Sequence, residues 1–278
     1  MIIFNSETMN LNISSAVAYL TFKEMAKYDF LNHAFSTRLG GVSKGPFCSM
    51  NLSHKTADSK ENVQENQKLF CEATGFNEDT LVKPIMSHGN VIGVAKKENI
   101  GSGEKRPSDF PNTDGLITNT PGVTLVTSHA DCPVIFILAP KKRAIGLVHA
   151  GWRGTVKEIP KEAVNMLISE FGSDPTEIVC CIGPSICKDC FAVKNDVAEK
   201  FRDVGFININ RIVFEKNGVF NIDLNEANKQ TLIKSGVKEE NIIISDICTK
   251  CNKDMLFSHR AVQGGDRGGM LAMMSLKV

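Results

Sequence analysis

Three side chains with the chemistry of a reactive centre stand at His88, Cys132 and His149. Two neutral imidazoles and a thiolate suit Zn²⁺, and three protein ligands leave a fourth position open for water or substrate. The same residues allow a second reading, in which Cys132 is a nucleophile and His149 is its base. A third candidate is a structural zinc held by two Cys-x-x-Cys pairs, Cys187 with Cys190 and Cys248 with Cys251, although their separation of about sixty residues exceeds the usual spacing of a compact ribbon. The plain alternative is a buried thiol and a hydrogen-bonded histidine. Neither the HxE…PCxxC pattern of the cytidine-type deaminases nor HExxH occurs.

The stretch from His129 to Gly154 must bring two of these residues together. Val134 to Ala139 and Ala144 to Val148 are apolar runs on either side of a basic turn at Lys141 and Lys142, which is the pattern of a β-hairpin. Antiparallel pairing about that turn matches positions whose numbers sum to about 283, so Cys132 is expected close to His149 and Gly151. Small residues at Ala150, Gly151 and Gly154 let a backbone or a ligand approach closely. His88 stands beside Gly89, where a strand over Leu81 to Met86 breaks before another over Val91 to Ala95. In the loop Ser36 to Ser43, two adjacent glycines follow Arg38 and can present it, with backbone N–H groups, to an anion.

Further strands are expected at Ile2 to Phe4, Ala16 to Phe22, Phe30 to Phe35, Cys48 to Leu52, Leu116 to Thr118, Val123 to Ser128, Glu177 to Ile182 and Met270 to Leu276. Helices are expected at Ser59 to Thr74, Thr155 to Phe171, Asn195 to Val204 and Asn225 to Ser235, with Pro160 marking a kink or a later start in the second. The polar stretch 98–113, rich in Gly, Pro and Ser, reads as a mobile surface loop and a candidate lid. The stretch from Glu177 to Ser235 reads as scaffold.

With 278 residues, 42% of them hydrophobic, the chain can bury a large core. No linker, repeat or composition break divides it, so a single domain over 1–278 is expected, and alternating strand-like and helix-like segments give the class as α/β (α+β). A formal net charge of +1 with interspersed signs leaves no electrostatic footprint for nucleic acid or an anionic membrane, and points to a small-molecule partner. The N-terminal residues lack a signal pattern and no apolar run approaches the ~18 residues of a membrane span, so a cytoplasmic location is expected. Nine cysteines, an odd count, argue for thiols and metal ligands over a disulfide framework.

HADC at His129 to Cys132 and HAGWRG at His149 to Gly154 follow STRLGGVS at Ser36 to Ser43, Asn51-Leu52 and His88-Gly89, and precede GPSI at Gly183 to Ile186 and Ser258-His259-Arg260. In this order the motifs resemble the laccase-domain, multicopper-polyphenol-oxidoreductase-like family, whose members are read as purine nucleoside phosphorylases and some as peptidoglycan editing factors. The resemblance runs from Ser36 to Met270, and departs from the family pattern at Met86-Ser87 and at Asp266 to Met270. It implies an α-β-β-α layered sandwich and a metal triad of His88, Cys132 and His149 holding one zinc per chain. It also implies phosphorolysis of adenosine, inosine, guanosine and methylthioadenosine, with deamination of adenosine to inosine. Six histidines are too few for the trinuclear cluster of a multicopper oxidase, which leaves copper only as a substitute ion in the triad.

Phosphorolysis needs a cationic cradle, for which Arg38, Arg153 and Arg260 are the candidates because guanidinium forks match phosphate oxygens. Asp131, beside Cys132, is placed to move a proton or to orient a neighbour. A cysteine hydrolase acting on a peptidoglycan precursor and a metal-binding module of envelope quality control without turnover are the rival readings.

Overall fold

In the computed structural model, which describes residues 4–278, the apolar runs of the sequence become the strands of two six-stranded sheets. In chain order the strands are β1 (Met9–Ser14), β2 (Val17–Phe22), β3 (Leu31–Ser36), β4 (Leu81–Val82), β5 (Ile92–Val94), β6 (Gly115–Thr118), β7 (Thr124–His129), β8 (Val134–Ala139) and β9 (Ala144–His149). They continue as β10 (Val179–Ile182), β11 (Ala192–Val193), β12 (Val213–Lys216), β13 (Val219–Ile222), β14 (Ile242–Ile244) and β15 (Met270–Leu276). The helices are α1 (Lys60–Thr74), α2 (Trp152–Val156), α3 (Ile159–Phe171), α4 (Asn195–Arg202) and α5 (Leu224–Lys234). One sheet has the order β1-β2-β3-β15-β7-β4, the other β14-β10-β8-β9-β6-β5, and β11-β13-β12 form a small third sheet.

Strand periodicity explains the layering. In β7 Leu125 joins Phe22, Phe35 and Met274 against Phe136, Leu138 and Leu147 of the second sheet, in the core between the sheets. Its neighbour Val126 points the other way, to Phe70 and Cys71 of α1. In β9 Val148 likewise faces Ala163, Val164 and Leu167 of α3 and Leu232 of α5, on the outer face of the second sheet. Both faces of the central strands are thus covered, which is why they read as unbroken apolar runs. The result is the α-β-β-α sandwich. Each large side chain buried there contributes about 1.5–3 kcal/mol relative to exposure.

Local signals set the ends of the helices. Ser59 caps α1 by accepting a bond from the Asn62 N–H, and Gly75, with φ +73°, ends it. The helix expected over Thr155 to Phe171 is two helices, broken at Glu158 with φ +54°, so Pro160 falls in the first turn of α3, where its missing N–H costs nothing. The N-terminal strand expected from Ile2 lies, but for Phe4, outside the described residues. No strand forms at Cys48 to Leu52, and β4 holds only the first two residues of its expected run. The stretch 98–113 packs instead of capping a cleft: Ser102 accepts from the Lys83 N–H at 2.9 Å, and Arg106 pairs with Asp109.

β3 carries a buried histidine that makes the fold sensitive to acid. His33 Nε2 accepts a hydrogen bond from the Phe22 N–H at 2.8 Å. Burial disfavours its charged form and brings its pKa down to about 4. An unfolded chain takes up that proton near pH 6.5, so stability is complete above that value and is lost as pH falls from about 6.5 through about 4. We expect about 2–3 kcal/mol less stability at pH 4.5 than at pH 7 from this residue. Urea unfolding of the parent and of His33→Gln at both values checks it: the variant should show a correspondingly smaller drop, and equal drops would remove His33 as the cause.

Candidate active site

The central hairpin has the register its turn requires. Val134 pairs with His149 and Ala139 with Ala144, around a short helical turn at Pro140–Lys142 that ends on Arg143 at φ +45°. Cys132 precedes the first strand and His149 ends the second, so thiol and imidazole share one end of the sheet. There the Ala150 N–H bonds the Pro133 carbonyl at 2.8 Å and the chain turns through Gly151 into α2.

His88 arrives from a distant turn, and a single carboxylate places it. Asp114 is fully buried. Its Oδ1 accepts from the His88 N–H at 2.8 Å, and its Oδ2 accepts from Gly89 at 2.8 Å and from Ser87 at 3.1 Å. Asp114 immediately precedes β6, which pairs with β9, and this brings its Oδ1 to 3.1 Å from His149 Nδ1. One side chain therefore positions both histidines, and by engaging Nδ1 of His149 it leaves Nε2 free for an ion. Burial opposes ionisation of Asp114, but the hydrogen bond from His149 and those from Gly89 and Ser87 outweigh it and hold the carboxyl well below the usual carboxylate range.

The ligand atoms of His88, Cys132 and His149 lie within 4.8 Å of one another. The two imidazole rings meet edge to face, 4.9 Å between centroids. Burial alone would raise the Cys132 thiol, yet His149 and His88 bring it down to about 6. Burial would lower His149, yet Cys132 and Asp114 raise it to about 9. A site that favours a thiolate is one that welcomes a cation, and two imidazoles with a thiolate are the donor set of a borderline-soft transition metal. Room for an ion comes from Gly151. A Cβ there would lie 3.0 Å from His88 Cδ2, 3.2 Å from Cys132 Sγ and 3.3 Å from His149 Cε1.

Gly151 has φ −61° and ψ 161°, a backbone alanine adopts without strain. We therefore expect Gly151→Ala to fold with a nearly unchanged unfolding midpoint while crowding the three ligands and weakening metal binding at least ~10-fold. Competition with a chelator measures the affinity, and an unchanged value would mean that the triad has slack.

Two cavities meet at the triad, both lined by His88 and Cys132. The larger, of about 470 Å³, is also walled by Trp152, Arg153, Phe191 and Arg260. The smaller, of about 190 Å³, adds Lys55, His129, His149 and Arg267. Each arginine of the larger cavity stacks on an aromatic ring, Arg153 over Trp152 at 4.4 Å and Arg260 over Phe191 at 5.1 Å. Asp131 lines the same cavity, but its oxygens are engaged: Oδ1 accepts from Thr249 Oγ1 at 2.6 Å and Oδ2 from the Arg260 N–H at 2.7 Å. It orients Arg260 more directly than it could serve as a proton carrier.

Arg38 is not brought to this cleft. Its Nε donates to the Cys48 carbonyl and its NH1 group to the Lys253 carbonyl, at 2.9 and 2.8 Å, and the guanidinium lies over Phe257. A corner arginine surrounded by free carbonyls is satisfied where it stands. Nor is the stretch from Glu177 to Ser235 mere scaffold, since Ile186 and Phe191 to Lys194 form one wall of the larger cavity. Residues the sequence reading passed over include Asp114, Arg267 and His129. The last bonds Thr127 Oγ1 and the Cys132 carbonyl at 2.7 and 3.2 Å, and burial, aided by His149, keeps it neutral. The motif HADC pointed at His129, whereas nothing local pointed at Asp114.

Residues 32–277 match the family model described as multi-copper polyphenol oxidoreductase laccase. The chain belongs to this laccase-domain family. Among its relatives, a purine nucleoside phosphorylase of Bacteroides thetaiotaomicron is 33% identical, over 90% of this chain and 93% of its own length. The purine nucleoside phosphorylase YlmD of Bacillus subtilis is 31% identical, over 87% of each chain. Among solved structures, YlmD from Geobacillus stearothermophilus superposes with a TM-score of 0.90 at 30% identity, covering 96% of this chain and 99% of its own. A hypothetical protein YfiH of Bacillus licheniformis gives the same TM-score, 0.90, at 29% identity and the same coverage. No helix among the described residues is long and apolar enough to cross a membrane.

Proposed function

We propose that this laccase-domain chain acts, as one catalytic unit, as a zinc-dependent purine nucleoside phosphorylase of the cytoplasm, using adenosine, inosine, guanosine and methylthioadenosine, and that it also deaminates adenosine. The observation that carries the reading is the larger cavity. His88 and Cys132 line it, with His149 behind them on the adjoining smaller cavity, and its wall holds two arginines stacked over aromatic rings. Such a cavity suits one flat, largely apolar ligand and one oxyanion, which are the two substrates of nucleoside phosphorolysis. The names of the relatives point the same way.

In this reaction an oxygen of phosphate forms a bond to C1′ of the ribose while the bond from C1′ to N9 breaks and the base leaves. Arg153 and Arg260 would hold the phosphate, since a planar fork of N–H donors matches two of its oxygens. Asp131 fixes the backbone of Arg260 and so the position of that fork. Phe191 and Trp152, already packed against the guanidinium groups, complete an apolar wall for the base. Zinc held by His88, Cys132 and His149 would supply Lewis acidity and lower the pKa of water toward ~7, the chemistry that replacing the C6 amino group of adenosine calls for. Copper would serve only as a substitute ion in the same donors.

The test is incubation of the purified protein with adenosine or inosine, with and without phosphate, followed by identification of products. Free base and ribose 1-phosphate should form only with phosphate, and inosine should form from adenosine without it. Base release that ignores phosphate would overturn the phosphorylase. A second reading has one specific observation in its favour: Cys132 and His149 bring their sulfur and ring nitrogen within 4.8 Å and draw each other toward the thiolate and imidazolium forms, which is the pairing of a cysteine hydrolase.

A further inference from the structure

We infer that Cys187, Cys190, Cys248 and Cys251 form a second metal site, a tetrahedral thiolate site for zinc that staples the wall of the cleft. The four sulfur atoms lie within 4.8 Å of one another although the pairs are far apart in sequence, and the Sγ atoms of Cys190 and Cys251 are 3.5 Å apart. Four Zn–S bonds of about 2.3 Å in tetrahedral geometry place the sulfurs about 3.8 Å apart. The cluster therefore already has nearly the size of a filled site. The length of chain between the two pairs is no obstacle, because the fold has closed it.

The backbone is shaped for thiolates. Each Cys-x-x-Cys segment makes a tight turn, and Cys248 Sγ receives N–H groups from both, Cys187 at 3.3 Å and Cys251 at 3.5 Å. N–H groups aimed at sulfur favour its anionic form. The turns are joined by a β-bridge between Ser185 and Cys248, with Thr249 N–H to the Ser185 carbonyl at 3.0 Å.

This places the cluster where a staple matters. The first turn runs directly into Phe191, and the second carries Thr249, which bonds Asp131. Between Cys187 and α4 the regular structure is a short helical turn and the two-residue β11, which pairs with β13, and the Ile222 N–H bonds the Phe191 carbonyl at 3.2 Å, a short set of bonds in this wall that a metal would reinforce. A metal there would fix it without taking part in the reaction. The inference raises the expected metal content from one ion per chain to two, and it does not depend on the proposed activity.

The test loads reduced, full-length protein with excess zinc under anaerobic conditions, desalts it, and measures zinc by elemental analysis together with thiol reactivity. Two zinc per chain are expected, falling to one in Cys190→Ser and to one in His88→Ala. Cobalt in place of zinc should give intense sulfur-to-metal charge transfer and tetrahedral ligand-field bands that persist in His88→Ala. Should the serine variant not fold, the parent protein decides. Its exposed Cys251 should resist alkylation when zinc is bound and react once a chelator is added. Zinc content of one that His88→Ala reduces to none, with the four thiols freely alkylated, would overturn the site. So would an intact mass four hydrogens lighter in the freshly isolated protein, which would make these residues two disulfides.

Discussion

Replacing His88 by alanine is expected to give a folded protein that has lost one metal ion per chain and at least ~10²-fold in turnover, because Lewis-acid assistance supplies several kcal/mol of transition-state stabilisation. The substitution is informative because the rival chemistries share the other two residues. A thiolate nucleophile needs Cys132 and His149, but it has no use for an imidazole that reaches the site from more than forty residues earlier, in a separate turn. Folding should survive, since the ring is exposed and the turn is held by its backbone N–H groups on Asp114 rather than by the imidazole. A chelator should reproduce the loss in the parent enzyme, and added zinc should restore it. A His88→Ala protein that has lost this ion yet keeps full activity and is killed by alkylation of Cys132 would hand the site to the thiolate.

Asp114→Ala is expected to damage both stability and the site. The carboxylate accepts three backbone N–H groups and one imidazole from a fully buried position, so its removal frees the 87–89 turn from its anchor and leaves the buried His149 without its counter-charge. Breaking a buried charged pair from one side costs about 3–5 kcal/mol, and removing the partner of a metal-ligating imidazole costs about 10–100-fold in metal affinity. Asp114→Asn keeps the shape and one acceptor, and should fall between the parent and the alanine variant in both measurements. Urea unfolding with metal titration on the three proteins checks this. Stability within ~0.5 kcal/mol of the parent in Asp114→Ala would show that water replaces the carboxylate and that the 87–89 turn does not depend on it.

The hairpin and the meeting of Cys132 with His149 were legible for one reason: continuous apolar runs on either side of a short turn admit few registers, and the register dictates what lies at the open end; His88 was joined to them only by the family resemblance. Val134 opposite His149 follows from the sum of positions that the turn imposes. The strand β1 was not legible, because its alternation of Met9, Leu11 and Ile13 with polar residues leads into a turn made by Ser15 and Ala16, both at positive φ and neither a usual turn residue there. Asp114 was not legible, since its role depends on a pairing with residues 87–89 that exists only in three dimensions. Arg38 misled for the opposite reason: an arginine before two glycines can bind an anion, but carbonyls of Cys48 and Lys253 reached it first. The cleft wall after Cys187 was missed because Phe191 and its neighbours are ordinary apolar residues whose value lies in what they stand beside.

His88 holds its ring in place with a backbone at φ +61°, a conformation that costs a side-chain-bearing residue about 1 kcal/mol and glycine almost nothing. At this position, therefore, stability and catalysis pull toward different residues. A library selected for heat resistance alone would drift toward glycine or asparagine at 88 and return hardier proteins that no longer turn over. In a screen that scores only folding, enrichment of glycine there would mark a reactive centre being lost, and a thermostable variant of this enzyme should be sequenced at position 88 before its activity is judged.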